Sequence, residues 1–171
     1  MEALKSTLLI STYNWPEALE LVLMSIKNQK VLPIEVIIAD DGSTQATKQL
    51  IERFKSEFPV PLIHVWQKDT GFKKSHILNK AIACSIGDYI IQCDGDCILH
   101  PFFVKDHLKF AIKNHYLYGS RVNIKASYLE RLFATKQIKF NFFSNGIKKR
   151  TRTIYLPILS RLYISKLFFS N

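Results

Sequence analysis

Four short apolar runs, each followed by a segment with helical spacing, constrain this chain more than any other feature. TLLISTY (7–13), IEVIIA (34–39), LIHVW (62–66) and DYIIQC (88–93) are nearly continuous in apolar character. That is the pattern of parallel strands covered on both faces. After the first run, Asn14-Trp15-Pro16-Glu17 reads as a helix start, with Asn14 as cap, Pro16 in the first turn and Glu17 reaching back as in a capping box. Leu19, Val22, Leu23 and Ile26 then recur on one helical face. Further helices are expected from the turn at 40–44 through Phe58, over 71–86 with Gly87 as the stop, and over 101–114, with a short strand at 117–122. Alternating strands and helices predict an α/β fold, a doubly wound, mostly parallel sheet with helices on both faces and right-handed crossovers.

In such sheets ligands bind outside the carboxyl ends of the strands. Here those ends carry residues 11–14, 40–43, 68–74 and 94–96, so the unusual polar residues fall on one rim. Asp94-Gly95-Asp96 is the sharpest of these clusters. An Asp-Gly turn would account for it, but two carboxylates at a binding rim also suit a hard divalent cation, Mg²⁺ or Mn²⁺, shared with substrate phosphates. Asp40-Asp41 starts a turn in which one acid can cap the following helix, while a carboxylate at a strand end can also accept from a ribose hydroxyl or a base N–H. Gly71-Phe72-Lys73-Lys74 opens a helix with two cations, either a solvated face or a phosphate contact. Cys93 and Cys97 lack the two further ligands, at a recognised spacing, that a zinc site would need.

Taken together, these stretches resemble the family-2 glycosyltransferases of GT-A type, Rossmann-like fold. LLISTYNWPEALELVLMSI, IEVIIADDGSTQAT, TGFKKSHILNKAIACSIGDYIIQCDGDCILHPFFVKDH and YGSRV occur in that family's order and spacing, over residues 6–122. The nearest likeness is to bacterial members that build lipopolysaccharide or capsule and carry a galactosyltransferase-like C-terminal portion. The resemblance implies a nucleoside-diphosphate sugar as donor, with uridine as the base. It implies nucleoside contacts from Ser11 and Tyr13, with Tyr13 stacking on the base, a base contact from Asp41 and a ribose-side role for Asp40. It further implies a base or phosphate contact from Lys73, a ribose and metal contact from Asp94, and metal ligation by Asp96, with Mn²⁺ or Mg²⁺ as cofactor. Family members transfer the sugar with inversion to an acceptor hydroxyl, which requires a general base. After Asp96 this chain offers only Asp106 and Glu130. Glu130 is the candidate base, although its neighbours SYLERLF depart from the family's pattern.

Composition enters at the C-terminal end. The formal net charge is +10, and residues 121–171 hold 11 Lys and Arg against one acid, Glu130, while residues 1–120 balance. This divides the chain into a nucleotide-sugar-binding domain over 1–122 and a basic, aromatic-rich extension over 123–171, read as an incomplete acceptor-side portion. The extension's nine aromatics and the stretch GIKKRTRTIYLPILSRLYISKLFF suit docking on an anionic membrane surface, where a glycan or lipid-linked acceptor would wait. The same aromatics would equally pack against an acceptor-side portion. No nucleic-acid-binding motif accompanies the basic residues, so nucleic acid is not an expected partner. Three cysteines and no signal-peptide or membrane-spanning pattern predict a cytoplasmic protein, peripheral on the inner face of the membrane. The absent acceptor-side segment leaves a second expectation open, a catalytically inactive or truncated nucleotide-sugar-binding protein that serves a complete transferase as partner.

Overall fold

The computed structural model describes residues 4–155. Four strands, β1 (Ser6–Thr12), β2 (Glu35–Asp40), β3 (Leu62–Trp66) and β4 (Tyr89–Asp94), form one parallel sheet in the order β3-β2-β1-β4. The two central strands, β1 and β2, are buried at every residue, which accounts for their unbroken apolar runs. The α/β expectation therefore holds.

The helices follow from that strand order. Helices α1 (Pro16–Lys27) and α2 (Gln45–Lys55) carry the chain outward from β1 to β3, and α3 (Lys74–Ala83) carries it back across to β4. A reversal of direction with right-handed crossovers requires a change of face. One core accordingly joins Leu8, Ile10, Val36 and Ile38 to Leu19, Val22, Leu23 and Ile26 of α1, to Leu50 and Ile51 of α2, and to Val104 of α4 (Phe103–Phe110). The second core, on the opposite face, sets Leu9, Ile37 and Ala39 against Ile77 and Ala81 of α3. Alternate residues of one strand thus serve two different layers.

Several expected boundaries move. Trp15, not Asn14, is the N-cap residue of α1, and no side chain caps that helix, so the capping box is not formed. Pro16 does sit in its first turn. Asn14 instead adopts φ +46°, accepts from the Thr44 N–H at 2.8 Å through Oδ1, and donates its own N–H to Ser43 Oγ at 2.9 Å. It ties the end of β1 to the turn before α2. Helix α3 closes at Ala83, so Gly87 is not its stop. A Cβ at Gly87 would lie 2.6 Å from the Thr7 backbone nitrogen, and this close approach belongs to a buried network in which Thr7 Oγ1 and the Ile86 N–H both donate to Glu35 Oε1, at 2.6 and 2.7 Å. Helix α2 ends at Lys55 rather than Phe58, and α4 spans eight residues rather than 101–114.

The chain forms two compact units. Residues 4–117 with 136–138 make the first, and 118–135 with 139–155 are the described part of the second. In the second unit β5 (Asn123–Ile124) pairs antiparallel with β6 (Ile147–Lys148), and α5 (Leu129–Thr135) lies between them in sequence. No strand forms over 117–122; the pairing begins at Asn123. Leu132 and Ile147 are the buried apolar residues among the described part of this unit. Gly146, at φ +76°, lies so close beneath the Tyr128 ring that a Cβ would overlap it. The apolar end of the expected membrane-docking stretch, from Leu156 on and including Tyr163, Phe168 and Phe169, lies outside the described residues. No helix among the described residues is long and apolar enough to cross a membrane.

Candidate functional site

In a sheet ordered β3-β2-β1-β4 the chain changes direction between β1 and β4, and a crevice opens there at the carboxyl ends. A cleft of about 390 Å³ lies at that place. It is lined by Ser11, Thr12, Tyr13 and Trp15 after β1, Ala39 and Asp41 from β2, Gly71, Phe72, Lys74 and Ile77 from the α3 entry, and Asp94, Gly95 and Asp96 after β4.

Strand alternation explains which side chains reach it. Ser11 and Asp94 are register partners across β1 and β4 and share a parity with Leu9 and Ile90, the residues that face α3. Ser11 Oγ donates to Asp94 Oδ1 at 2.9 Å, and Lys74 Nζ, at the first residue of α3, donates to the same oxygen at 2.5 Å. The loop after Asp94 is held close to β1, with the Gly95 N–H donating to the Ser11 carbonyl at 2.7 Å. A Cβ at Gly95 would stand 2.9 Å from that oxygen, so a side chain there would lift the loop. Downstream, Gln29 fastens the segment to the end of α1: its Nε2 donates to the His100 carbonyl at 2.8 Å, and its Oε1 accepts the Val104 N–H at 3.1 Å.

Asp41 is buried yet borders the cleft. Its oxygens accept from Gln67 Nε2 at 2.6 Å and from the Lys73 N–H at 2.8 Å. A carboxylate offers about four acceptor sites, so two are satisfied by protein and capacity remains on the cleft side. Tyr13 is about half exposed and donates its hydroxyl to Asp69 Oδ2 at 2.9 Å. Asp69 Oδ1 accepts the Gly71 N–H at 3.0 Å. These contacts hold the Asp69 carboxyl below its ordinary range, the Gly71 N–H foremost, and Asp69 in turn pushes the Tyr13 phenol above its own. Tyr13 therefore reaches from the β1 end to the loop leading into α3. Gly42, at φ +97°, lets that loop pass: a Cβ there would meet Asp69 Cα at 2.6 Å.

The structure thus brings Ser11, Tyr13, Asp41, Asp94 and Asp96 to one cleft, and two of the expected nucleotide-contact residues, Asp40 and Lys73, are not among its lining side chains. Asp40 is fully buried on the face of Ile38, where its Oδ1 accepts the Ser43 N–H at 2.8 Å and its Oδ2 pairs with His64 Nε2 at 2.9 Å. It closes the turn after β2 and does not line the cleft. Lys73 uses its backbone at the site, while its side chain borders a separate hollow with Lys68, His76 and Lys80. The cation in the cleft is Lys74. Glu130 lies exposed in the first turn of α5 in the second unit. Sequence reasoning paired Lys74 with Lys73 as a possible phosphate contact without choosing between them, and missed Asp69, Gln67 and Trp15. Helical spacing could have made that choice, because Lys74 precedes the sheet-facing Ile77 and Ala81 by three and seven residues.

Three acids, Asp41, Asp94 and Asp96, and one lysine line the cleft. An anionic ligand would meet repulsion there unless a cation accompanied it. Donor atoms of Asp94, Asp96 and Cys97 lie within 4.8 Å of one another. Two carboxylates at that separation, with Asp96 exposed, fit a hard divalent ion that completes its shell with water and phosphate oxygens. Cys97 Sγ donates to Asp96 Oδ1 at 3.4 Å. Cys93, on the strand beneath, has its thiol pKa driven up by its neighbour Cys97 and by burial, and serves as an inert packing group.

Comparison with known proteins bears on the family and the fold. The family model described as Glycosyl transferase family 2 matches residues 7–168, beyond residue 122 and through most of the basic segment. A hyaluronan synthase of Pasteurella multocida is 30% identical over 103 residues, 60% of this chain and 10% of that protein. Among solved structures, residues 1–349 of S. aureus TarS in complex with UDP-GlcNAc superpose with a TM-score of 0.52 at 25% identity, covering 62% of this chain and 30% of that one. The mannosyltransferase PcManGT of Pyrobaculum calidifontis, in complex with GDP-Man and Mn²⁺, superposes with a TM-score of 0.58 at 22% identity, covering 80% of this chain and 39% of that one, a likeness of GT-A fold. The chain spans only a tenth to two fifths of the length of the curated relatives it matches.

Proposed function

The chain belongs to glycosyl transferase family 2, and from that premise we propose that its cleft binds the diphosphate and nucleoside of a sugar donor and supports metal-dependent, inverting transfer to an acceptor hydroxyl. The observation that carries the reading is the convergence of Asp94, Asp96, Asp41 and Tyr13 on the crevice between β1 and β4, lined by three acids and one lysine. Tyr13 stacks on the base, Asp41 accepts a base N–H, and Asp94, held by Ser11, faces the ribose. The UDP-GlcNAc complex of TarS supports uridine as the base. Asp94 and Asp96 would hold Mn²⁺ or Mg²⁺, which supplies charge neutralisation for the diphosphate as it leaves. The acceptor is a glycan or a lipid-linked sugar, and the basic extension brings the protein to an anionic membrane surface where such acceptors lie.

Inverting transfer requires a base on the acceptor side, and Glu130 is assigned to it as the sole acid of residues 121–171. The departure of SYLERLF, around Glu130, from the family's pattern favours a second reading, in which the chain binds the donor and a partner performs the transfer. Thermal unfolding with UDP, Mn²⁺ and both tests donor binding, and release of UDP separates the two readings. At ~100 times its dissociation constant a ligand adds about 2.7 kcal/mol. UDP with Mn²⁺ is expected to raise the unfolding temperature, and Asp96→Ala to lose the cation-dependent part. No shift with UDP under any condition rejects donor binding. Stabilisation without release of UDP from a UDP-sugar, with and without acceptor, selects the second reading.

A further inference from the structure

We infer that Lys74 is the resident counter-ion of the cleft: it neutralises Asp94 when no ligand is bound and passes to the diphosphate when a nucleotide enters, so that it opposes a divalent cation arriving alone and assists the nucleotide. The inference rests on the nucleotide-binding reading above. Three observations carry it. Among the described residues Lys74 is the sole cationic side chain lining the cleft, against Asp41, Asp94 and Asp96. Its ammonium lies 2.5 Å from Asp94 Oδ1, the oxygen that Ser11 Oγ also binds at 2.9 Å, so that oxygen is engaged from two sides. Both partners of the pair keep about a third to two fifths of their side-chain surface exposed, which leaves the ammonium room to turn.

The placement of Lys74 is fixed from below. Ile77 and Ala81 are fully buried against the sheet, and Lys74 lies on the same helical face one turn nearer the strand ends. Its stem is therefore directed to the rim, and only the flexible end is free to choose a partner. A divalent ion approaching Asp94 and Asp96 without nucleotide meets an ammonium already on Asp94. It must either accept a like charge a few ångströms away or displace Lys74 from its carboxylate. A diphosphate changes that balance. Its oxygens offer the ammonium a charged acceptor, Lys74 has three rotatable donors with which to take it, and Asp94 is released to the cation. Cation and nucleotide then favour each other reciprocally.

The test uses the full chain with Mn²⁺ alone, followed by the resonance of the free ion, and UDP alone in the presence of EDTA, followed by calorimetry. Lys74→Met is expected to tighten Mn²⁺ about fivefold and to weaken UDP about tenfold, while Lys74→Arg, which keeps the charge, stays within about threefold of wild type in both. The opposite signs matter, because a variant that merely disturbed the fold would lose affinity for both probes. Mn²⁺ affinity that Lys74→Met leaves unchanged or lowers overturns the inference while leaving the donor site intact. Wild-type protein that binds UDP neither in EDTA nor with Mn²⁺ present removes the nucleotide-binding reading and this inference with it.

Discussion

Asp40 and Asp41 are adjacent, chemically identical and differently employed, because a strand end sends successive side chains to opposite faces. Asp40 shares the face of Val36 and Ile38 and is sealed beneath the helices there, while Asp41 turns to the α3 side and the cleft. Removing the Asp40 carboxylate would leave the buried Ser43 N–H without its acceptor and His64 without its partner. Asp40→Ala is therefore expected to lower stability by about 2–4 kcal/mol. Asp40→Asn, which keeps an acceptor oxygen for Ser43, should cost less than half of that. Urea unfolding of the two variants checks the order, and equal costs would place Asp40 outside that hydrogen-bond pair. The same alternation was readable in the residues: IEVIIAD (34–40) puts Ile38 and Asp40 on one side, so the parity of the run already separates the acids. Lys73 and Lys74 needed more. Their division of labour depends on where α3 begins, and the dipeptide alone does not say which lysine is the last of the loop.

The elements themselves were legible because burial writes them plainly. All four strands fall within one residue of the apolar runs, and α1, α2 and α3 occupy the expected connections. What could not be read was whatever depends on a distant partner. Asn14 has the chemistry of a helix cap, yet Ser43 and Thr44 claim it from the next turn. Gly87 has the look of a helix stop, yet it is small because Thr7 passes close by. The short strand moved from 117–122 to Asn123–Ile124 because its pairing partner, Ile147–Lys148, lies more than twenty residues away. Helix α4 illustrates a consequence that sequence reading does not reach. His107, half-buried against Phe103 at 4.7 Å between ring centres and 3.3 Å from the Tyr89 hydroxyl, has its pKa lowered by burial, partly offset by Asp106. Its folded pKa lies below the unfolded value of 6.5, so the unfolded chain binds the proton more readily. The stability that its neutral form contributes is fully present above pH 6.5 and is lost as the pH falls through the folded pKa. Unfolding midpoints measured from pH 7.5 to pH 5 should decline, and His107→Phe, which keeps the contact with Phe103, should flatten that decline. An unchanged slope would mean that His107 titrates alike in both states.

For the molecule as a whole, strand order decides where ligands go and charge decides what else it meets. The switch from β1 to β4 creates the crevice, and the loops that end there carry the acids, so the site follows from topology more than from any one motif. The charge is distributed otherwise. Residues 1–120 are balanced, while the rest carry 11 basic side chains against Glu130, among them Lys148, Lys149, Arg150 and Arg152 in succession after Ile147, with only Thr151 between them. Phe143, Phe142 and Tyr155 are exposed in the same unit. Basic side chains near an anionic bilayer contribute about 1 kcal/mol each, and that attraction is screened over about 8 Å at physiological ionic strength. Vesicles containing phosphatidylserine should therefore sediment the full chain at low salt and release most of it at about 0.5 M salt, and vesicles of phosphatidylcholine should leave it in solution. Replacing Lys148, Lys149, Arg150 and Arg152 together by glutamine should abolish the sedimentation while leaving the unfolding temperature within a few degrees, because the two lysines are exposed and the two arginines give up one hydrogen bond each, to the Phe142 and Arg121 carbonyls. Equal sedimentation with both lipids, or salt-independent binding, would assign the attachment to the aromatic residues rather than to charge. Failure to bind either lipid would leave the basic segment to the acceptor itself.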